Sequence, residues 1–495
     1  MVSKQEWGSA DMLEENMEGK RVATCKEKFM KGLMENMFTI LTLIGVAVGF
    51  GIGFGVGTLR PSTVTITWIK LIGDLYINLL QLTILPIIAA NIIVVMARMD
   101  PKQNGKMSLA AICFVIGFDL ISGAIGVITA ALIKPGLLTT ANAETTSSEG
   151  PDSAPVTTSD VFVDLIKNMF PDNIVGLTIH QTKTIRRWPY YPSKNVTVPV
   201  TISLDATNMI GLIFTTIMFG IAAGAAGKAG KVFVDFFDSL GNVVLIMMRW
   251  FLKATPVGVC FMVAGSVVGL ENVSDTFKSL GLFMVTVLAA LAIHMLLQMI
   301  VYLSVSSRNP FRMLVVGFRV FFLSFITTSP LVAIPEMMEA CDKYGIKKKV
   351  SQFVIPFSAA LKGDGSGVFQ AVACVFIAQL TGFELTGGTY VLIALLTGFA
   401  TLAIPMVPSS SIIIVITILS SLGANTAEVS LLFAVEWIMD RCRSGSIGYG
   451  HLYAAAFTHS VAIGRRTEGE DIVEKMEKRI EYESDDGVLR DSERM

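Results

Sequence analysis

Charge is scarce in this sequence and histidine scarcer still. Of 495 residues, 16% are charged and four are histidine, whereas soluble domains carry nearer a quarter charged residues. The formal net charge is −1, so there is no basic excess to hold nucleic acid. The six cysteines (Cys25, Cys113, Cys260, Cys341, Cys374 and Cys442) are scattered and mostly sit in apolar runs. They fit neither a disulfide framework nor a zinc spacing and read as small buried hydrophobes. No nucleophile–base pair or metal-ligating cluster stands out, so an enzyme is not expected. The first 35 residues are polar and charged. They lack a leader's apolar core, and the first apolar run is expected to act as the insertion signal.

What is abundant is apolar sequence: 52% of residues are hydrophobic, with a mean hydropathy of +0.62. A bilayer core needs about 20 apolar residues per helix. Six runs satisfy this before residue 310: 36–59, 75–97, 108–133 with Asp119 inside, 206–227, 242–270 broken by Arg249 and Lys253, and 281–307 around His294. Two more follow at 350–380 and 430–463. A polar stretch at 135–201, rich in Thr, Ser, Ala and Pro, separates the third run from the fourth and holds the sequon at Asn195. The basic tail at 1–35 and basic loops after the second and fourth runs place both termini in the cytoplasm. The 135–201 segment then lies outside, where Asn195 can be glycosylated. The sequon at Asn272 is also outside but close to the membrane.

After Asn309 the pattern becomes irregular. The segment 311–340 is broken by Thr327-Thr328-Ser329-Pro330 and Pro335, and both flanks are basic. The segment 390–422 is broken by Pro405, Pro408 and Ser409-Ser410-Ser411, and both flanks are acidic. Each reads as a re-entrant hairpin, one from each side of the membrane. Interrupted apolar segments in matching positions of two halves point to an inverted-repeat transporter, with the hairpin tips meeting at a site.

Between and after the hairpins, charges fall inside apolar runs, where a central charge costs at least ~2.5–3.5 kcal/mol and marks function. Lys362-Gly363-Asp364-Gly365-Ser366-Gly367 is expected to break its helix and free backbone carbonyls. A carboxylate with free carbonyls suits sodium, a hard cation. Lys362 could pair with Asp364 or with an acid of the last run. That run holds Glu436, Asp440, Arg441, Arg443 and His451. Asp440 and Arg443, three apart, share a helix face. Together they can hold an amine and a carboxylate, or they can simply pair with each other. His294 and His459 read as ordinary core residues.

These residues resemble the excitatory amino-acid transporters, the family of glutamate/aspartate and neutral amino-acid symporters. The resemblance covers residues 30 to 460. It rests on Asn36-Met-Phe-Thr-Ile-Leu-Thr42, Phe236-Phe-Asp-Ser-Leu240, Pro256-Val-Gly258, Asp364-Gly365-Ser366, Phe376-Ile-Ala-Gln379 and Glu436-Trp-Ile-Met-Asp440-Arg-Cys-Arg443. It implies an all-α membrane protein of eight transmembrane helices plus two re-entrant hairpins, arranged as inverted repeats and working as an elevator. It also implies a homotrimer in the plasma membrane. Residues 36–270 would be mainly scaffold, apart from the run at 108–133, which belongs with a transport core at 278–463; residues 464–495 form a cytoplasmic tail. The resemblance implies that Asp440 binds a substrate amino group, and that Arg443 and Ser366 bind an acidic side chain. Thr328 and Ser329 would form the tip of the first hairpin. Asp364, with the backbone of Gly363, would hold co-transported sodium. Chloride conductance along the scaffold–core interface would be a second activity.

Several positions depart from the family's pattern. Lys362 and His451 stand at sodium-site positions, replacing an Asn and an Asp. Ile447 replaces an Asn near the substrate carboxylate, and Ala403 replaces the glycine of the gate. Phe114, Gly117 and Phe118 stand where a Tyr and two Thr help bind sodium. Pro330 interrupts a serine run, and Gln370 replaces a glutamate tied to proton coupling. A lysine inside a cation site repels the cation, so at least one sodium position is expected to be lost. The expected function is sodium-dependent symport of glutamate or aspartate. An anion channel or a non-transporting relative with impaired coupling is the alternative.

Overall fold

The apolar runs form helices of the lengths a bilayer sets. The computed structural model describes residues 37–59, 61–98, 105–137, 153–154, 158–187, 198–268, 273–306, 308–403 and 410–463. Cys25, both sequons, the tails at 1–35 and 464–495, and Pro405, Pro408 and Ser409 of the second hairpin lie outside the described residues. Among the described residues, five helical stretches are long and apolar enough to cross a membrane: Ile40–Thr58, Thr63–Arg98, Lys106–Ile133, Asp275–Val305 and the broken Lys348–Leu380. They belong to α1 (Met37–Thr58), α2 (Thr63–Arg98), α3 (Lys106–Ile133), α9 (Val273–Val305), and α13 (Lys348–Leu361) with α14 (Asp364–Leu380). The last helix, α17 (Phe433–Ile463), has 31 residues and carries its charges in its first turns.

Two expectations change. The second run begins at Thr63 rather than residue 75 and makes a 36-residue helix, about 54 Å long. It therefore extends beyond the bilayer core. The fifth run is longer than expected and bent: α7 (Lys231–Leu252) and α8 (Thr255–Val268) meet at 60°. Pro256 has no N–H to give the carbonyl of Leu252. The Thr255 hydroxyl takes that carbonyl instead at 2.6 Å. The same hydroxyl meets Tyr76 Oη of α2 at 2.7 Å, which ties the bend to its neighbour.

The polar stretch at 135–201 carries structure of its own: α4 (Thr158–Met169), the single turn α5 (Gly176–Ile179), and an antiparallel sheet of β1 (Ser153–Ala154), β2 (Gln181–Arg187) and β3 (Val198–Leu204). Thr184 pairs with Thr201 across β2 and β3. Asp164 accepts the Thr184 N–H at 2.6 Å and its hydroxyl at 2.5 Å. Asp160 takes the Arg186 guanidinium at 2.6 and 3.2 Å, and this hydrogen bond raises the pKa of Arg186 above its ordinary value.

The helices pack in two groups. α1, α2, α7, α8 and α6 (Met209–Ala225) pack on one another. α3 packs instead against α9, α14, α17 and α15 (Gly387–Ala400). α14 lies at the centre of this second group, buried on every face from Asp364 to Gln379, as a helix apolar all round must be. Around the outside, Trp68, Ile128, Trp250, Val285 and Ile300 are each more than half exposed. Apolar exposure on that scale fits a lipid-facing surface.

The segment after Asn309 folds back on itself. α10 (Pro310–Val316) and α11 (Phe318–Thr327) lead to a turn at Thr328–Ser329, a 3₁₀ turn at Pro330–Ala333, and α12 (Ile334–Tyr344). Arg319 faces Glu336 at 3.6 Å and Glu339 at 3.9 Å across the two arms. Asn309 caps the entry, accepting the Phe311 N–H at 2.9 Å with Pro310 at the first helical position. The second segment comprises α15, the 3₁₀ turn Thr401–Ala403 and α16 (Ser410–Leu422).

Candidate functional site

Two charged stations lie along one flank of α17. In the first, Glu436, Asp440 and Arg443 fall at i, i+4 and i+7 and share a face. The Arg443 guanidinium donates to Glu436 at 2.6 and 3.3 Å and to Asp440 at 2.7 Å. The Phe369 ring of α14 lies 4.6 Å from the guanidinium carbon, an arrangement that stabilises the cation through the ring's electron-rich face. All three charged residues are buried. Asp440 and Arg443 do pair, as their spacing allows. Glu436 is the partner that the sequence reading did not assign. Arg441 is directed elsewhere: its guanidinium donates to the Ile326 carbonyl at 2.8 Å and so satisfies the C-terminal end of α11.

α14 meets α17 beside this station. A Cβ on Gly365 would lie 2.9 Å from both the Arg443 carbonyl and the Ile447 side chain, so the first turn of α14, with Ser366, sits directly against Arg443–Ile447. The break expected of the glycine run is present but short: only Lys362 and Gly363 leave the helix, while Gly365 and Gly367 are helical and serve close packing.

The second station is that break. Lys362 has an extended backbone with φ −89° and ψ 98°, and its ammonium contacts the Asp364 carboxylate. Gln298 of α9 donates to the same oxygen at 2.5 Å, and the Gly365 N–H donates to the other at 3.0 Å. His294 Nε2 lies 3.6 Å from the carboxylate and 3.3 Å from the Phe118 carbonyl, and Gln298 meets His294 Nδ1 at 3.2 Å. With Gln298 as donor, His294 is the tautomer protonated at Nε2. His294 is thus part of the charged cluster, not an ordinary core residue. The approach of α9 to within hydrogen-bonding distance of Asp364 is invisible in the local sequence.

Asp119 of α3 and His451 of α17 complete the station. Both are fully buried, and among the described residues neither the Asp119 carboxyl nor the His451 ring meets a hydrogen-bond partner. The Gly363 N–H and the Thr401 hydroxyl are the polar groups facing Asp119, with Lys362 and Asp364 nearby. A Cβ on Gly450 would collide with the Lys362 ammonium and stand 3.4 Å from Asp364. That side of α17 must be bare for the lysine to fit.

Of the remaining expected positions, Phe118 borders the second station through its carbonyl, 3.3 Å from His294 Nε2. Thr328 holds a left-handed backbone at φ 53°, unfavourable for a β-branched residue, and its hydroxyl bonds the neighbouring Thr327 carbonyl at 2.7 Å. Ser329 and Pro330 begin the return arm. The backbone of Ala403 closes its 3₁₀ turn. The Phe114 and Phe118 rings pack with centroids 4.5 Å apart, tilted by 45°; Gly117 lies between them in sequence. Gln370 is fully buried, and among the described residues neither of its amide atoms has a hydrogen-bond partner. Among the described residues no group of His, Cys, Asp and Glu is placed to hold a transition metal.

Two cavities among the described residues lie away from both stations. One of about 510 Å³ opens between α4, β2 and the ends of the second segment, lined by Leu165, Lys183, Phe383, Glu384 and Leu422. Another, of about 310 Å³, is lined by Lys70, Asp74 and Asn78 of α2 and by Ser420 and Glu428. Each lies between the two helix groups.

The sequence pattern of the sodium:dicarboxylate symporter family matches residues 38–460. The chain belongs to this family. Relatives within it include excitatory amino acid transporter 3 of Mus musculus, 31% identical over 75% of each chain. Excitatory amino acid transporter 2 of Rattus norvegicus is 29% identical over 87% of this chain and 80% of its own. An excitatory amino acid transporter of Caenorhabditis elegans is 29% identical over 85% and 86%. The symporter family's span takes in both stations, α3, α9, both folded-back segments and all but the end of α17.

Proposed function

We propose that this symporter-family chain carries acidic amino acids, glutamate or aspartate, across the plasma membrane in company with sodium. The observation that carries this reading is the buried Arg443 held between Glu436 and Asp440. An incoming side-chain carboxylate can take the place of Asp440 on the guanidinium, as Arg is suited to bidentate carboxylate binding. Asp440, released, accepts the substrate ammonium. The exchange pairs the substrate's ammonium and its side-chain carboxylate, which avoids the penalty of an uncompensated ion at those two groups; the α-carboxylate needs hydrogen-bond donors of its own. Ser366, packed beside Arg443, adds a hydroxyl to the same pocket. Retention of Arg443 favours acidic over neutral substrates.

In this reading α3, α9, α13, α14, α17 and the two folded-back segments form a core that moves within a homotrimer framed by α1, α2 and α6–α8. The folded-back segments act as re-entrant hairpins, the second as the outer gate closing at Ala403. The α4–β3 region and Asn195 face the exterior, and the termini face the cytoplasm. A second reading, an anion conductor or a carrier with impaired coupling, is favoured by the Lys362–Asp364 contact and by the polar cavity between the helix groups.

Labelled aspartate and glutamate uptake into proteoliposomes, with and without a sodium gradient, separates the two. Concentrative uptake that Arg443→Ala abolishes supports symport. Chloride-carrying current without Arg443-dependent uptake supports the second reading.

A further inference from the structure

We propose that the Lys362 ammonium is a resident cation: it permanently occupies the cation position at Asp364, and Gln298 and His294 are the residues that hold Asp364 in place for it. The inference rests on the carrier reading above and says how that carrier is coupled.

Hard cations bind where oxygen atoms are free to face them. Both oxygens of the Asp364 carboxylate already face donors. One oxygen receives the Lys362 ammonium and the Gln298 amide at 2.5 Å; the other receives the Gly365 N–H at 3.0 Å. His294 approaches from the same side with Nε2 at 3.6 Å. These partners are donors, the wrong polarity for a metal ion. The chain is also shaped around the lysine. The helix opens for only two residues at Lys362 and Gly363, and Gly450 leaves on α17 the gap the ammonium enters. Lys362, Asp364, His294, Asp119 and His451 are each at most 1% exposed and Gln298 2%, so a second cation brought to Asp364 would meet the ammonium without water to screen it.

An ion that binds and leaves links substrate binding to its own concentration; a tethered one cannot. At this position the positive charge stays with the protein in every state, loaded or empty. This site therefore contributes no sodium dependence to substrate binding, and whatever sodium coupling the carrier has must arise elsewhere.

The test is the sodium dependence of aspartate binding to the purified full chain, compared with that of Lys362→Asn, which removes the ammonium and leaves an oxygen in reach of Asp364. The variant is expected to steepen the Hill slope for sodium by about one. Replacing sodium by choline should weaken its aspartate binding about tenfold more than it does for the wild type. An unchanged slope with aspartate binding intact overturns the proposal. Should that variant fail to fold, the double variant Lys362→Met/Asp364→Asn removes the pair without leaving a lone charge. Its unfolding temperature, read without substrate, should respond to sodium as the wild type's does. Loss of a wild-type sodium response in the double variant would show that Asp364 had been binding sodium, and would overturn the resident-cation assignment. Absence of Arg443-dependent aspartate binding instead counts against the carrier reading, and the unfolding measurement still decides this one.

Discussion

At the residue scale, the two stations on α17 make different demands. Arg443 sits between two carboxylates and against an aromatic face, and its loss would strand Glu436 and Asp440. Arg443→Lys keeps the charge but forfeits the planar fork. It is expected to weaken aspartate binding by roughly 2–3 kcal/mol, the range of a lost charge-assisted hydrogen bond, with an intact fold; titration calorimetry reads the change directly. Gly450 has a purely steric task. Gly450→Ala drives a methyl into the Lys362 ammonium, and overpacking of this kind costs about 1–3 kcal/mol. Thermal unfolding in detergent should show the drop, and Gly450→Ala in a Lys362→Met background should recover much of it, because the clashing atom has gone.

At the element scale, the first folded-back segment is fastened to α17 more firmly than its broken sequence suggests. Tyr449 Oη donates to the Leu314 carbonyl at 2.9 Å, and Tyr453 Oη donates to the Pro310 carbonyl at 3.0 Å. Tyr302 and Tyr344 meet at 3.0 Å beside them. Replacing Tyr449 and Tyr453 together by Phe should cost about 1 kcal/mol per bond and speed limited proteolysis around Pro310–Val316; protection equal to wild type would contradict this. Much of the element map was legible in the sequence: the breaks at Thr328 and at Lys362, and the shared face of Asp440 and Arg443, follow from spacing and residue type. Other features were not. Gln298 and His294 reach Asp364 across 66 and 70 residues of chain, and a single turn of α9 looks like any apolar span until its neighbour is known. Likewise Gly365 and Gly367 read as helix breakers because propensity is local, whereas the contacts that reward their lack of a side chain, with α17 for Gly365 and with Ser122 of α3 for Gly367, are not. The bend before Pro256 was half-visible, since the sequence shows the proline but not the Thr255 hydroxyl that takes over the freed carbonyl.

At the scale of the whole molecule, β2 meets the end of the second folded-back segment, where the Gln181 amide donates to the Ser421 carbonyl. If the core slides past its frame, that contact breaks in every cycle. Cysteines placed at 181 and 421 in a background free of the native cysteines are expected to cross-link under oxidant and to stop aspartate uptake, with recovery on reduction. Uptake that continues through the cross-link would mean the two segments do not move apart there. The wholly buried α14 has a further consequence, for biosynthesis. The stretch Lys348–Leu380 is the least apolar of the five candidate spans, and Lys362 and Asp364 together add about 5–7 kcal/mol to the cost of inserting it alone. Such a segment cannot partition into lipid when it emerges from the ribosome. It is expected to wait at the translocon until α3 and α9, made earlier, receive it. Nascent chains truncated after Leu380 should therefore integrate this span only when α3 and α9 precede it, an order that glycosylation mapping of the truncated chains can read.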